Sequence, residues 1–148
     1  MDQGRDIWRA RLVELLELIS IGEPVSQSQS FVVFDSQSRS VGTFNSDDSI
    51  NDFAETLTIT VKTGVAVGNS KVTAKIQRKD EISGEYVDIP GAETAAQGAS
   101  SSTNLTISPG IAQTNKRRIN DIAPRIWSVV STVAGGTSIV FAVNGETL

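Results

Sequence analysis

The sequence predicts a mainly-β fold, an antiparallel β-sandwich of jelly-roll or immunoglobulin-like type, preceded by an amphipathic N-terminal helix. Three observations lead there. The spacing of apolar residues changes from a period of 3.6 to a period of 2 near residue 30. Seven to nine short strand patterns then follow, each bounded by turn residues. Leu clusters before the change, whereas Ser, Thr, Val and Ile dominate after it, as strands prefer. The pattern does not choose between the two sandwich topologies.

Residues 5–21, RDIWRARLVELLELISI, carry Trp8, Leu12, Leu15, Leu16 and Ile19 at offsets 0, 4, 7, 8 and 11, one stripe of a helix. Asp2 can cap its start, Gly22 fits just past its end, and Pro24 blocks continuation. The polar, aperiodic run EPVSQSQS reads as a linker. The expected organisation is therefore a helical arm over 1–22, a linker over 23–30 and a sandwich over 31–148.

FVVF at 31–34 and VGTF at 41–44 read as two short strands around a polar turn. In ETLTITVKT, Leu57, Ile59 and Val61 alternate with threonines and Lys62, predicting one buried and one polar face. Gly64, Gly68 and Asn69 supply turn residues, after which SKVTAKIQR buries Val72, Ala74 and Ile76. KDEISGE is a charged turn into the return strand YVDI, which Pro90-Gly91 is expected to end. Residues 92–104 read as a small-residue surface loop and LTI at 105–107 as a short strand. RIWSVVSTV and SIVFAVN flank Ala134-Gly135-Gly136-Thr137, which predicts a terminal β-hairpin. Trp127, Phe141 and Tyr86 are expected in the core.

A chain of 148 residues can bury a core large enough to fold without disulfides or metal. It contains neither cysteine nor histidine. Thiolate zinc sites, imidazole ligands and Ser-His-Asp or Cys-His nucleophiles are excluded. The net charge of −4 disfavours nonspecific nucleic-acid binding. The N-terminal stretch does not read as a secretion signal and no apolar run approaches the ~20 residues that span a bilayer, so synthesis in a cytoplasm is expected.

Two stretches carry a family resemblance. VTAKIQRKDEISGEYVDIPGAETA, 72–95, resembles a pattern of strand, charged Gly-containing turn, aromatic-bearing return strand and then "IPGA" found in small structural proteins of tailed bacteriophages. RIWSVVSTVAGGTSIVFAVNGE, 125–146, is similar to an Arg-aromatic strand, Val-x-Gly-Gly-Thr and a second strand in the same proteins. Among them are capsid decoration, or cement, proteins. The resemblance covers about a third of the chain and excludes the helix. It implies a β-sandwich or jelly-roll on the capsid exterior.

The helical stripe needs cover. Burying its five side chains is worth roughly 8–15 kcal/mol, and an isolated helix this short is marginal in water. Its destination is either its own sandwich or a neighbouring subunit or shell. On the second reading, Trp8, Leu12, Leu15, Leu16 and Ile19 form a protein-binding clamp. Glu14 and Glu17 argue against a membrane-surface helix. Asp47, Asp48 and Asp52 lack the spacing of a calcium loop, and Asp80, Glu81, Glu85 and Asp88 sit in one turn and return strand without a flanking cleft. Lys116, Arg117 and Arg118 could contact nucleic acid, but three charges in a net-acidic chain without interleaved aromatics fit a patch for an acidic neighbour equally well and a solvated basic loop better. Asn104-Leu105-Thr106 matches a glycosylation acceptor only by pattern.

These readings predict a non-enzymatic virion protein, without cofactor, metal, nucleic-acid or membrane partner. It would bind the major capsid protein and self-associate, a trimer being favoured. The alternative is a receptor- or carbohydrate-binding module using exposed aromatics.

Overall fold

The structure, a computed structural model, describes residues 29–148 apart from Phe53. The predicted helix over 5–21 and its stripe Trp8, Leu12, Leu15, Leu16 and Ile19 lie outside the described residues, as do 23–28 of the predicted linker.

Eight strands follow: β1 (Gln29–Asn45), β2 (Ser49–Ile50), β3 (Leu57–Val67), β4 (Lys71–Lys79), β5 (Tyr86–Glu93), β6 (Ser102–Ser108), β7 (Arg118–Asn120) and β8 (Ile126–Thr147). Their hydrogen-bonded order is β5-β4-β8-β3-β6-β7, with β1 and β2 on the other side of β8. All pairings are antiparallel except β6 with β7.

The long β8 belongs to two layers. Its first half pairs with β4, from Arg78↔Trp127 to Lys71↔Ala134. Its second half pairs with β3, from Val67↔Ser138 to Leu57↔Thr147. β1 follows β8 through both layers, and its register jumps from Ser40↔Ser138 to Gly42↔Val133 across the bend. One sheet thus folds over itself at a corner, where strands pass from one layer to the other.

Glycines make that corner. Gly68, Gly135 and Gly136 have φ of 76°, 73° and 57°. A Cβ on Gly136 would lie 2.6 Å from the Val67 carbonyl and 2.7 Å from the Ser70 nitrogen. Ser70 fastens the bend by donating from Oγ to the carbonyls of Val67, at 3.0 Å, and Gly135, at 2.8 Å.

The predicted terminal hairpin, and the two short strands predicted around a polar turn at 31–44, are corrected by this arrangement. Residues 31–34 and 41–44 belong to one strand, as do 126–133 and 138–144. Two consecutive left-handed residues at Gly135-Gly136 are what a tight hairpin turn also requires. The deciding factor is tertiary, because each arm finds its ladder partner in β1, β3 or β4 instead of in the other arm. In β1 the polar stretch between Phe34 and Gln37 becomes a bulge.

The alternation read in β3 and β4 holds. Leu57, Ile59, Val61, Val72, Ala74 and Ile76 are fully buried. Trp127, Val129, Ile139, Phe141 and Val143 of β8 and Leu105 and Ile107 of β6 complete the core between the layers. Phe31 packs on Trp127 with ring centroids 5.5 Å apart, and Phe34 meets Phe141 edge-on at 6.0 Å.

Three smaller expectations are also corrected. Tyr86 is 47% exposed, because it shares the outer face of β5 and β4 with its ladder partner Lys79. β5 continues through Pro90-Gly91 to Glu93, an edge position where proline's missing N–H is harmless. The segment after it is tucked in. Thr94 is fully buried, and its Oγ accepts the Ala74 N–H at 3.0 Å.

Candidate interaction surface

The β4–β5 hairpin builds one wall of a groove at the end of the sandwich away from the glycine corner. Its turn is closed by Asp80 N–H to the Glu85 carbonyl and Gly84 N–H to the Asp80 carbonyl, both 2.8 Å. Asp80 also accepts from the Ile82 N–H at 3.1 Å and the Ser83 hydroxyl at 2.8 Å, and these bonds hold its carboxyl below the usual carboxylate value. With the turn's polar groups so occupied, Ile82 projects outward and is 98% exposed.

The opposite wall is the segment 121–126, which enters β8. Together these elements enclose about 680 Å³, lined by 78–82, Val87, Ile89 and 121–126. Ile122 is 71% exposed and Val87 is 40% exposed. Ile50, 68% exposed, is the ladder partner of Ile126 on this wall. Single exposed apolar residues are ordinary; several around one groove mark a surface that a partner covers.

Ion pairs brace the two walls. Arg125 pairs with Glu81 across the groove, and its Nε lies 3.9 Å from Asp52. Lys79 contacts Asp48 at 2.9 Å, and the Tyr86 hydroxyl donates to the same carboxylate at 2.6 Å. Tyr86 first, and Lys79 next, lower the Asp48 pKa, while Asp48 raises those of both partners. The loop carrying Asp47, Asp48 and Asp52 is thus stapled to β4 and β5. Asp88 is held low mainly by the Gln77 amide, 2.6 Å away, and then by Lys75. The acidic residues considered in the sequence are therefore brought to one end, and most of them meet a cation or a donor there.

The basic cluster lies elsewhere. Arg118 opens β7, beside Thr106 of β6, and Lys116 and Arg117 occupy the tight turn before it. The protein-binding residues expected from the helix lie outside the described residues. What the sequence reading missed is the isoleucine set. Ile82 in KDEISGE carried the available signal: an isoleucine at the tip of a charged turn has no interior to enter.

No family model matches the chain, and neither does any curated protein. Solved structures with a similar course of the chain include that of the infectious bursal disease virus Gx strain, at 13% identity and a TM-score of 0.46, covering 82% of this chain and 31% of that one. This chain spans under a third of that protein's length. The SPBc2 prophage-derived protein YomS is 14% identical over 82% of this chain and 92% of its own, with a TM-score of 0.44. A subunit of Bacillus endospore appendages, a family of disulfide-linked pili, is 10% identical over 82% and 88%, with a TM-score of 0.38.

Proposed function

We propose that this chain is a virion structural protein that decorates and stabilises a tailed-phage capsid by binding the major capsid protein, without catalysis. The observation that carries this reading is the isoleucine-rimmed groove between the β4–β5 turn and the segment 121–126. An apolar centre with a charged rim suits a protein surface. One wall of the groove is the hairpin within 72–95, the stretch that resembles phage structural proteins, and it folds as that pattern implies. In this reading Trp8, Leu12, Leu15, Leu16 and Ile19 form a clamp on an adjacent subunit. The sandwich bodies associate, as trimers at local threefold positions of the capsid exterior. Repetition over the shell adds avidity to individually modest contacts.

Co-sedimentation with undecorated capsids tests the clamp. Deleting residues 1–24 is expected to leave a folded sandwich, judged by a cooperative thermal transition, that no longer sediments with the shells. Wild-type occupancy by the truncated protein would overturn the reading.

A carbohydrate-binding module is the second reading, and the exposed ring of Tyr86 favours it. Trp127, fully buried, cannot serve as its platform. Saturable glycan binding abolished by Tyr86→Ala would decide for it.

A further inference from the structure

We propose that the outer face of the β6–β7 edge is a binding site for a tetrahedral oxyanion, the phosphate or sulfate group of an esterified ligand. A pocket of about 370 Å³ lies there, lined by Ser102, Thr103, Asn104, Thr106, Arg117 and Arg118. No acidic side chain lines it, although the chain carries a net charge of −4. The side chains of Arg117 and Arg118 make no hydrogen bond or ion pair among the described residues. By contrast Arg39 and Arg125, elsewhere on the sandwich, each meet a carboxylate.

The backbone holds the arginines in place. Arg117 and Arg118 donate their N–H groups to the Thr114 carbonyl at 3.0 and 2.9 Å, and the Thr114 N–H returns to the Arg118 carbonyl at 3.0 Å. Within this turn Lys116 sits at φ 62°, a left-handed conformation uncommon for a residue with a side chain. Such strained positions cluster at ligand sites. Lys62, the ladder partner of Ser102, adds a further cation beside the rim.

Asn104 sets the polarity of the floor. Its Oδ1 accepts the Thr60 hydroxyl at 2.8 Å, so the amide NH₂ is the end left for a ligand. The site therefore offers two guanidinium forks and an amide donor. Planar forks bind phosphate and sulfate oxygens in pairs, and donors from separate residues match the several acceptor oxygens of a tetrahedral group.

The test is an NMR titration of the ¹⁵N-labelled full chain with methyl phosphate, methyl sulfate, acetate and chloride at constant ionic strength. Saturable shifts confined to 102–106 and 114–118 with either ester are expected, and the tighter ester identifies the source of the oxyanion. Arg117→Ala/Arg118→Ala should abolish them. Asn104→Asp, which keeps the acceptor for Thr60 but replaces the donor with a charge, should weaken binding about tenfold or more. Its spectrum away from the pocket should be unchanged. Equal response to chloride, acetate binding as tight as that of the esters, or undiminished binding by the double variant would each overturn the proposal.

Discussion

Ser131 lies on the inner face of β8, fully buried, and its hydroxyl has no hydrogen-bond partner among the described residues. A hydroxyl desolvated without compensation lowers stability, and removing it need not open a large cavity. Ser131→Ala is expected to stabilise the sandwich by about 1 kcal/mol, read from urea denaturation. Asp48 shows the opposite economy of a polar group fully used. Its folded pKa lies below the unfolded value of 3.8, so its contribution is complete above that value and disappears as pH falls through the folded one. Asp80 and Asp88 are shifted the same way. Lys79 and Tyr86 are raised, so their contributions are present below the unfolded values of 10.5 and 10.0 and vanish at higher pH. The thermal midpoint should therefore hold between about pH 5 and 9 and fall on both sides. Asp48→Asn should flatten part of both limbs in a series of melts against pH.

Among the elements, β1 is a long edge strand whose sequence manages that exposure. It pairs only with β8 and carries three register irregularities, which discourage an added strand. Arg39 closes its rim. The guanidinium lies 4.5 Å from the Phe141 ring centre and 5.3 Å from that of Phe34, and donates to the carbonyls of Phe141 and Asp35 at 3.0 Å each. Arg39→Ala should lower stability by about 1–3 kcal/mol in chemical denaturation. Arg39→Lys should recover little, since an ammonium cannot span the same two carbonyls while stacking on the rings. The role of Arg39 was not legible in the sequence, where it sits in a polar stretch that reads as a turn. β3 and β4 were legible because their alternation is strict and each buries one face. β8 was legible as strand but not as one strand. Gly135-Gly136 declares a reversal locally, and only partners far away in sequence convert it into a bend. Of the candidate surface, the charged turn at 79–85 was readable, whereas the approach of 121–126 to it depends on pairing that no local pattern encodes.

At the scale of the whole molecule, most of the ladder joins segments distant in sequence, so β8 cannot settle until β1, β3 and β4 are present. Folding is expected to be slower than for helical chains of this size. The isoleucine groove stands apart from this framework. Ile82→Ser with Ile122→Ser should change unfolding free energy by less than about 0.5 kcal/mol, because both side chains are already in water. The same pair should reduce occupancy on capsids in co-sedimentation, and unchanged occupancy would remove the groove from the interface. The pairing of Gln29 with Thr147 has a mechanical consequence. Antiparallel neighbours joined at their adjacent ends separate like a zipper when tension enters at one and leaves at the other. A pull through the segment preceding Gln29 therefore loads the rungs to Thr147, Glu146 and Gly145 one after another, while the seam between β8 and β3 stays closed. Such a tether yields gradually under strain until it reaches Phe31, packed on Trp127, and then Arg39, which lies over the rings of Phe34 and Phe141.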